Sequence, residues 1–234
     1  MKLSIIMPAY NEVAFIERVI ARVLAVNLPA GVETELIVID DGSSDGTREK
    51  LQAIAPDPRL HVILHDRNMG KGAALHTGFA AATGEFVLVQ DADLEYDPAE
   101  IPRLLKPVLE GNADVVYGSR FISGESRRVL YFWHAVINQR LTMICNFFTN
   151  LNLSDMEVCY KLIRRELLSR IRLKEKRFGF EPEVTIKLAR IRPKPRFYEV
   201  GISYAGRTYA EGKKIGFKDG VRALWCLFRY GIFG

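Results

Sequence analysis

Three acidic side chains stand two residues apart in the segment QDADLE, residues 90–95. The segment follows the apolar run 86–89, which predicts a buried parallel strand. Carboxylates spaced in this way project toward the same side, and a cation relieves their repulsion. Mg²⁺ and Mn²⁺ prefer oxygen ligands and bridge them to a diphosphate. Asp91, Asp93 and Glu95 are therefore candidate metal ligands, although an acidic turn before a helix has the same composition.

Strand and helix patterns alternate through the first half of the chain. Strands are predicted at residues 3–7, 36–39, 61–64, 86–89 and 115–117, and helices at 13–24, 45–54, 72–82 and 98–110. Asp45 is the expected N-cap of the second helix. This alternation predicts an α/β fold with a doubly wound, mostly parallel sheet and helices on both faces. Ligands bind such sheets at the carboxyl ends of the strands. Four carboxylates stand at these ends: Asp40, Asp41, Asp91 and Asp93.

The second half has longer helical patterns. Apolar and aromatic residues recur at helical spacing along 130–148, and Asn138, Thr142 and Asn146 lie on the polar side of that helix. Further helices are predicted at 164–171, 183–190 and 217–228, a strand at 197–203, and a basic, glycine-flanked loop at 207–214. The apolar stripe fits either core packing or contact with a membrane surface.

Charge is distributed unevenly along the chain of 234 residues. Residues 1–120 carry 11 Lys and Arg against 18 Asp and Glu, whereas residues 121–234 carry 22 against 10. A basic half favours phosphate, nucleic acid or anionic lipid as a partner. The three cysteines lack metal-ligand spacing, which argues against a zinc site or disulfide framework and favours a reducing cytoplasm. Neither a signal peptide nor a membrane-spanning run is expected.

Short polar motifs follow the predicted strands. They are PAYNE (8–12), DDGSSDGT (40–47), RNMGKGAA (67–74), DAD (91–93) and GSRF (118–121). Each motif alone is weak evidence for a binding or catalytic site, because glycine among charged residues usually marks a turn. The GKG at 70–72 also lacks the spacing of a P-loop, so a P-loop NTPase is not indicated.

Together and in this order, the motifs resemble those of inverting glycosyltransferases with the GT-A fold. Within that group the chain resembles dolichol-phosphate mannose or glucose synthases and bacterial polyprenyl-phosphate glycosyltransferases, from residue 3 to about residue 219. The resemblance implies one catalytic domain over residues 1–234, with a nucleotide-sugar and metal-binding half at 1–120 and an acceptor-binding half at 121–234. It also implies transfer of a hexose from a GDP-mannose or UDP-glucose type of donor to a polyprenyl or dolichyl phosphate, with Mg²⁺ or Mn²⁺ as cofactor.

The resemblance assigns roles to individual residues. The implied nucleotide-sugar site consists of Pro8, Tyr10, Glu12, Asp40, Asp41, Lys71, Asp91, Ala92 and Asp93. The implied metal ligands are Asp91, Asp93 and Glu95, and the implied acceptor-phosphate ligands are Arg120, Arg207 and Lys213. The implied catalytic residues are Asp93, Arg120, Asp155 and Arg207. Glu95 is a departure, because close relatives have Gln at this place in a DADLQ pattern.

Asp155 lies in the motif SDMEVCYK, residues 154–161, where the family has an acidic residue near the acceptor. Such a carboxylate acts as a general base when the acceptor is an alcohol. A phosphomonoester has a second pKa near ~6 and is largely anionic at neutral pH. With a phosphate acceptor, Asp155 is therefore expected to orient the acceptor or its basic ligands rather than to remove a proton.

Two other functions fit the same residues. A transferase acting on a soluble glycan or protein hydroxyl would use Asp155 or Glu157 as base. A nucleotide-sugar-binding protein without turnover is the non-enzymatic alternative, although Asp91, Asp93 and Arg120 are intact. Nucleic acid is not an expected partner, because no recognition motif accompanies the basic half. The expected location is the cytoplasm, with peripheral contact at the inner face of the membrane.

Overall fold

The computed structural model describes residues 1–122, 128–129, 131–208, 211 and 216–233. Within these residues seven strands form one sheet: β1 (Lys2–Ala9), β2 (Glu33–Asp40), β3 (Leu60–Leu64), β4 (Phe86–Val89), β5 (Val115–Ser119), β6 (Lys161–Arg164) and β7 (Phe197–Gly201). Their order is β3-β2-β1-β4-β6-β5-β7. Strand β6 runs antiparallel to β4 and β5, and the other pairings are parallel. The predicted mostly parallel sheet is confirmed.

The central strands of the sheet have apolar sequences and are buried. Strands β4 and β5 are buried at every position, and β2 is buried over its last six residues. In β1, Ile5 lies opposite Leu36 of β2 and Leu88 of β4, so three apolar side chains meet at one level of the sheet. Strands with such continuous apolar sequences need cover on both faces. Strand β3 lies at the edge and is only partly buried.

The described part of the chain also forms eight α-helices. They are α1 (Ile16–Leu24), α2 (Thr47–Ala53), α3 (Lys71–Ala81), α4 (Ile101–Leu109), α5 (Phe132–Thr149), α6 (Arg165–Ser169), α7 (Phe180–Arg190) and α8 (Phe217–Phe233). Every helix predicted from periodicity is present, with shifted ends. Asp45 lies two residues before α2 and accepts a hydrogen bond from the Thr47 amide at 3.0 Å, while Gly46 occupies the N-cap position with φ of 100°.

Strand β6 was not predicted from the sequence. It has only four residues, and charged residues stand at both of its ends. It is inserted between β4 and β5, with Leu162 opposite both Leu88 and Val116. Lys161 is fully buried there, and its ammonium group donates to the carbonyls of Met156, at 2.9 Å, and Val158. A lysine in this environment gives no strand signal in a single sequence.

The polar side of α5 faces the protein together with the apolar residues Leu141 and Cys145, while several aromatic side chains of the helix are exposed. Asn146 exchanges hydrogen bonds with the backbone of residue 153, and Thr142 accepts one from the amide of residue 156. Trp133 is 70% exposed and Phe147 is 82% exposed. Of the two interpretations of the apolar stripe, core packing therefore applies to only part of it.

Helices α5, α7 and α8 pack around a second, smaller core. Its buried members are Leu141, Cys145, Met156, Ile186, Ala223, Cys226, Leu227 and Tyr230. The rings of Phe148 on α5 and Phe228 on α8 lie 5.7 Å apart. No helix in the described ranges has the combination of length and apolarity needed to cross a membrane.

A buried carboxylate ties β2 to β1 and to the turn that precedes β4. Glu35 accepts hydrogen bonds from the Ser4 hydroxyl at 2.5 Å, the Thr83 amide at 2.7 Å and the Thr83 hydroxyl, and it pairs with Lys2 at 2.6 Å. Burial favours the neutral acid, but these donors outweigh burial and lower the pKa of Glu35 to about 2. The charged form of Glu35 therefore stabilises the folded state.

The substitution Glu35→Gln is expected to lower the free energy of unfolding by about 2 kcal/mol at neutral pH. Because the pKa of Glu35 is lowered on folding, its contribution is complete above pH 4.5 and is lost as the pH falls toward 2. The difference between wild type and variant should shrink over that range in urea titrations followed by circular dichroism. Glu33→Gln, at an exposed position on the same strand, is the control. A difference that does not change with pH would contradict this account.

Candidate functional site

The carboxyl ends of β1, β2, β4 and β5 surround a cavity of about 1220 Å³. Most of the predicted site residues line it: Pro8, Tyr10, Glu12, Asp41, Lys71, Asp91, Ala92, Asp93, Glu95, Arg120 and Arg207. Asp40 and Asp155 are fully buried and do not line it, and Lys213 lies outside the described residues. The fold therefore gathers residues from motifs that are far apart in the sequence.

The two aspartates that follow β2 have different surroundings. Asp40 pairs with Arg48 at 2.7 Å and accepts a hydrogen bond from the Ser43 amide, so it fixes the turn after β2. Asp41 accepts hydrogen bonds from the Gly70 amide at 2.7 Å and from His65 Nδ1 at 2.8 Å. Asp41 thus joins the end of β2 to the loop that precedes α3, while part of it remains at the cavity wall.

Lys71 enters the cavity at the start of α3. The preceding Gly70 has a φ of 99°, and a Cβ there would lie 2.4 Å from the carbonyl oxygen of Lys176. Glycine is therefore required at this position. The Lys71 ammonium group lies 2.9 Å from Asp91 Oδ1 and 3.5 Å from Glu181 Oε1. Lys71 thus partly neutralises Asp91.

Arg207 neutralises the other carboxylates of the cluster. Its Nη2 atom lies 2.6 Å from Asp93 Oδ2, its Nη1 atom 3.2 Å from Glu12 Oε2, and its Nε atom 3.1 Å from Glu95 Oε1. Each of these four side chains is at most 14% exposed. Charge-assisted hydrogen bonds in such a shielded place are stronger than those at a surface.

Glu95 holds the segment that carries Arg207. One of its carboxylate oxygens accepts from the Tyr204 hydroxyl at 2.7 Å, and the other accepts from the backbone amide of Arg207 at 3.0 Å. The Glu95 carbonyl also accepts from the Ala205 amide at 2.9 Å. Both side-chain oxygens of Glu95 are therefore used to anchor residues 204–207.

Asp91 and Asp93 fit a divalent cation by their chemistry. Burial and the nearby charges of Asp91 and Glu95 raise the pKa of Asp93 to about 7, against the effect of Arg207. A carboxylate in such surroundings is stabilised by further positive charge. Within the described residues no three acidic, histidine or cysteine side chains are already arranged so that they could hold one metal ion. The oxygen donors of Asp91 and Asp93 are nevertheless of the type that Mg²⁺ and Mn²⁺ prefer.

Arg120, which lines the cavity, forms a second charged pair with Asp155. The guanidinium binds the carboxylate in a bidentate manner, with Nε and Nη2 each 2.7 Å from a carboxylate oxygen. The Arg120 amide donates to the same carboxylate at 3.1 Å, and Asn138 of α5 donates to it at 3.2 Å. The Tyr204 ring lies 5.1 Å from the guanidinium carbon. Asp155 therefore fixes the orientation of Arg120 next to the cavity.

Glu157, the other candidate base, lines the cavity. Burial, followed by the charge of Glu181, raises the pKa of Glu157 to about 8. The raised pKa favours the protonated form of Glu157, in which the carboxyl group can donate a hydrogen bond.

Apart from Glu157 and Arg207, sequence reasoning missed the wall residues that come from the second half of the chain. Arg177 and Phe178, before α7, and Glu181 in its first turn line the cavity. So do residues of α5 and α8: His134, Val136, Ile137, Asn138, Arg140, Leu141, Ile144, Asp219, Gly220, Val221, Ala223 and Leu224. The sequence offered no signal for Glu181, because the burial of α7 that makes a carboxylate unusual there is seen only in the structure.

Comparison with known proteins places the chain in a family. The profile of glycosyl transferase family 2 matches residues 4–172, and the chain belongs to this family. The resemblance inferred from the motifs is thereby confirmed.

Two relatives illustrate the similarity. The chain is 31% identical over 212 residues to the undecaprenyl-phosphate 4-deoxy-4-formamido-L-arabinose transferase of Pectobacterium carotovorum, covering 90% of this chain and 62% of that protein. It is 29% identical over 217 residues to the dolichol-phosphate mannosyltransferase of Pyrococcus furiosus, covering 92% and 61%. The chain thus spans about three-fifths of the length of these curated relatives.

A solved structure shares the fold. Glucosyl-3-phosphoglycerate synthase of Mycobacterium tuberculosis, in complex with Mn²⁺, uridine diphosphate and phosphoglyceric acid, matches 100% of this chain and 79% of its own, with a TM-score of 0.76 and 22% identity. At this identity the likeness concerns the fold alone. The predicted α/β fold of the GT-A type is confirmed.

Proposed function

We propose that the protein transfers a hexose from a nucleotide-diphosphate sugar to a polyprenyl or dolichyl phosphate, with inversion, using Mg²⁺ or Mn²⁺. One observation carries the proposal. A single cavity joins the carboxylates Asp91 and Asp93 to Arg120, and it continues between the apolar side chains of α5 and α8. Its polar end suits a diphosphate, Arg120 suits an acceptor phosphate, and its apolar end suits a hydrocarbon chain. The names of the two relatives agree with a lipid-phosphate acceptor.

The donor would lie along the ends of β1, β2 and β4. Pro8, Tyr10 and Glu12 line the part of the cavity proposed for the nucleoside, and Lys71 lies beside Asp91, where its charge would offset the diphosphate. Asp91 and Asp93 would hold the divalent cation, which would stabilise charge on the departing nucleoside diphosphate. The metal-containing complex of the structural neighbour is consistent with this cofactor class.

The acceptor phosphate would bind at Arg120. Its guanidinium suits phosphate oxygens in charge and shape, and Asp155 holds it in place through two hydrogen bonds. Because the phosphate is already anionic near neutral pH, attack on the anomeric carbon needs alignment rather than deprotonation. The full burial of Asp155 and its contact with Arg120 support a positioning role.

The apolar end of the cavity and the exposed aromatic residues support peripheral contact with a membrane. On α5, Phe132 and Trp133 are exposed, and on α8 Trp225 lies within 4.6 Å of the guanidinium carbons of Arg222 and Arg229. Aromatic side chains next to cationic ones suit the interface of a membrane with anionic lipids. The lipid phosphate would then reach Arg120 while its chain stays close to the bilayer.

The proposal is tested by incubating the protein with GDP-mannose or UDP-glucose and Mn²⁺, with and without a polyprenyl phosphate. Release of nucleoside diphosphate should require the lipid phosphate. Asp93→Asn should reduce the rate at least about 100-fold, because the metal and the diphosphate lose a charged ligand. Asp57→Asn, which alters an exposed ion pair with Arg59, is the matched control and should retain activity. Release that needs only a soluble glycan, or release with neither acceptor, would contradict the proposal.

Asp155→Asn separates positioning from base catalysis. The amide can still accept a hydrogen bond from Arg120 but lacks the charge, so KM for the lipid phosphate should rise about tenfold while kcat changes only a few-fold. An essential general base would instead cost about 100-fold to 10,000-fold in kcat. A fall of that size, together with loss of the acidic limb from the pH profile of kcat, would exclude the positioning role. Glu157→Gln serves as the parallel test of the other candidate base.

Membrane contact is tested by cosedimentation with vesicles that contain anionic lipid. The double substitution Phe132→Ser, Trp133→Ser should lower the partition coefficient at least about tenfold, because two large apolar side chains no longer enter the interface. The control removes exposed apolar side chains from the edge strand β3, with Val62→Ser and Leu64→Ser. Equal losses in both double variants would argue against a specific membrane-facing surface on α5.

A further inference from the structure

The guanidinium of Arg207 lies among carboxylates that would otherwise repel one another. Three carboxylates converge on its guanidinium, and they come from two parts of the sequence: Glu12 follows β1, and Asp93 and Glu95 follow β4. The shortest contact, 2.6 Å, is with Asp93, one of the two residues that fit a divalent cation. Arg207 therefore already supplies the counter-charge that the cluster requires.

A divalent cation and this guanidinium compete for the same oxygen atoms. A metal bound to Asp93 needs its carboxylate lone pairs at about 2.0 to 2.6 Å, and a guanidinium in hydrogen-bond contact uses them too. Two cations on one carboxylate also repel each other strongly at such separations in a shielded site. Lys71 on Asp91 adds to the positive charge nearby.

We propose that Arg207 is the resident counter-cation of the carboxylate cluster, and that Arg207 and a divalent cation exclude each other on Asp93. The inference uses the metal site of the proposed function and goes beyond it by setting an order of events. When the metal arrives with the donor, the guanidinium of Arg207 leaves Asp93 and becomes available to the acceptor phosphate. Donor loading therefore precedes productive binding of the acceptor.

Glu95 determines how firmly Arg207 is held in this position. Its carboxylate bonds both the backbone amide and the Nε atom of Arg207, and the Tyr204 hydroxyl fixes the second oxygen. Hydrogen bonds to a charged acceptor are roughly twice as strong as those to a neutral one. Glu95 is thus a positioning residue that keeps Arg207 close to Asp93 until a stronger cation displaces it.

The test measures Mn²⁺ binding to the whole protein without nucleotide, from the electron paramagnetic resonance signal of free Mn²⁺. Arg207→Gln removes the competing charge and should bind Mn²⁺ about tenfold more tightly than wild type. Arg207→Lys keeps the charge and should stay within about threefold of wild type. Equal or weaker binding by Arg207→Gln, including no measurable binding to either protein, would overturn the proposal. So would tight binding by both variants, since the effect would then not depend on charge.

Two further measurements test whether the change in Mn²⁺ binding is specific to the charge at position 207. Arg59→Gln removes one positive charge from an exposed pair outside the cavity and should bind Mn²⁺ as wild type does. Without its counter-cation, Arg207→Gln should unfold at a lower temperature than wild type, and Mn²⁺ should raise its midpoint more than that of wild type. An identical rise in both proteins would contradict the competition. No sugar transfer is measured, so these results are separate from success or failure of the transferase assay.

Discussion

Repulsion between carboxylates at the carboxyl ends of the strands is the constraint on which the site depends. The sheet brings Asp41, Asp91 and Asp93 to one edge, where burial makes each charge costly unless a donor or cation is present. Asp41 is satisfied by backbone amides and a histidine, which cannot leave. Asp91 and Asp93 are satisfied by the side-chain cations of Lys71 and Arg207. The two carboxylates that suit a metal are thus balanced by side chains rather than by backbone amides.

The charge of Asp155 is balanced in a different way, by a fixed pair with Arg120. Asp155 has no exposure at all, and its charge is balanced by Arg120 and by hydrogen bonds from residues of other elements. A buried carboxylate in a bidentate pair is a poor proton acceptor for a distant substrate but a good clamp for its partner. The clamp fixes the plane of the guanidinium, so that the acceptor phosphate proposed to bind there would meet donors already in position.

The sequence was sufficient to predict those site residues that directly follow the end of a strand. Because parallel strands end at one edge, the order of motifs was enough to bring Glu12, Lys71, Asp93 and Arg120 together. The sequence was not sufficient where the burial of a residue depends on contacts with segments far away in the chain. Strand β6 contains a buried lysine, Glu181 lies in a buried helix, and α5 turns its polar side inward to bind residues 153–156. None of these partners is adjacent in sequence, so periodicity alone does not reveal them.

The glutamate at position 95 shows how one substitution at a strand end affects a distant segment. As a sequence feature it looked like an additional charge for a metal site. In the structure both of its oxygens hold residues 204–207, and an amide at this position would present only one acceptor oxygen to the Tyr204 hydroxyl and the Arg207 amide. Its charge therefore acts first on Arg207, and through Arg207 on the carboxylate that a metal would use. The chemistry at Asp93 is in this way coupled to the segment that follows β7.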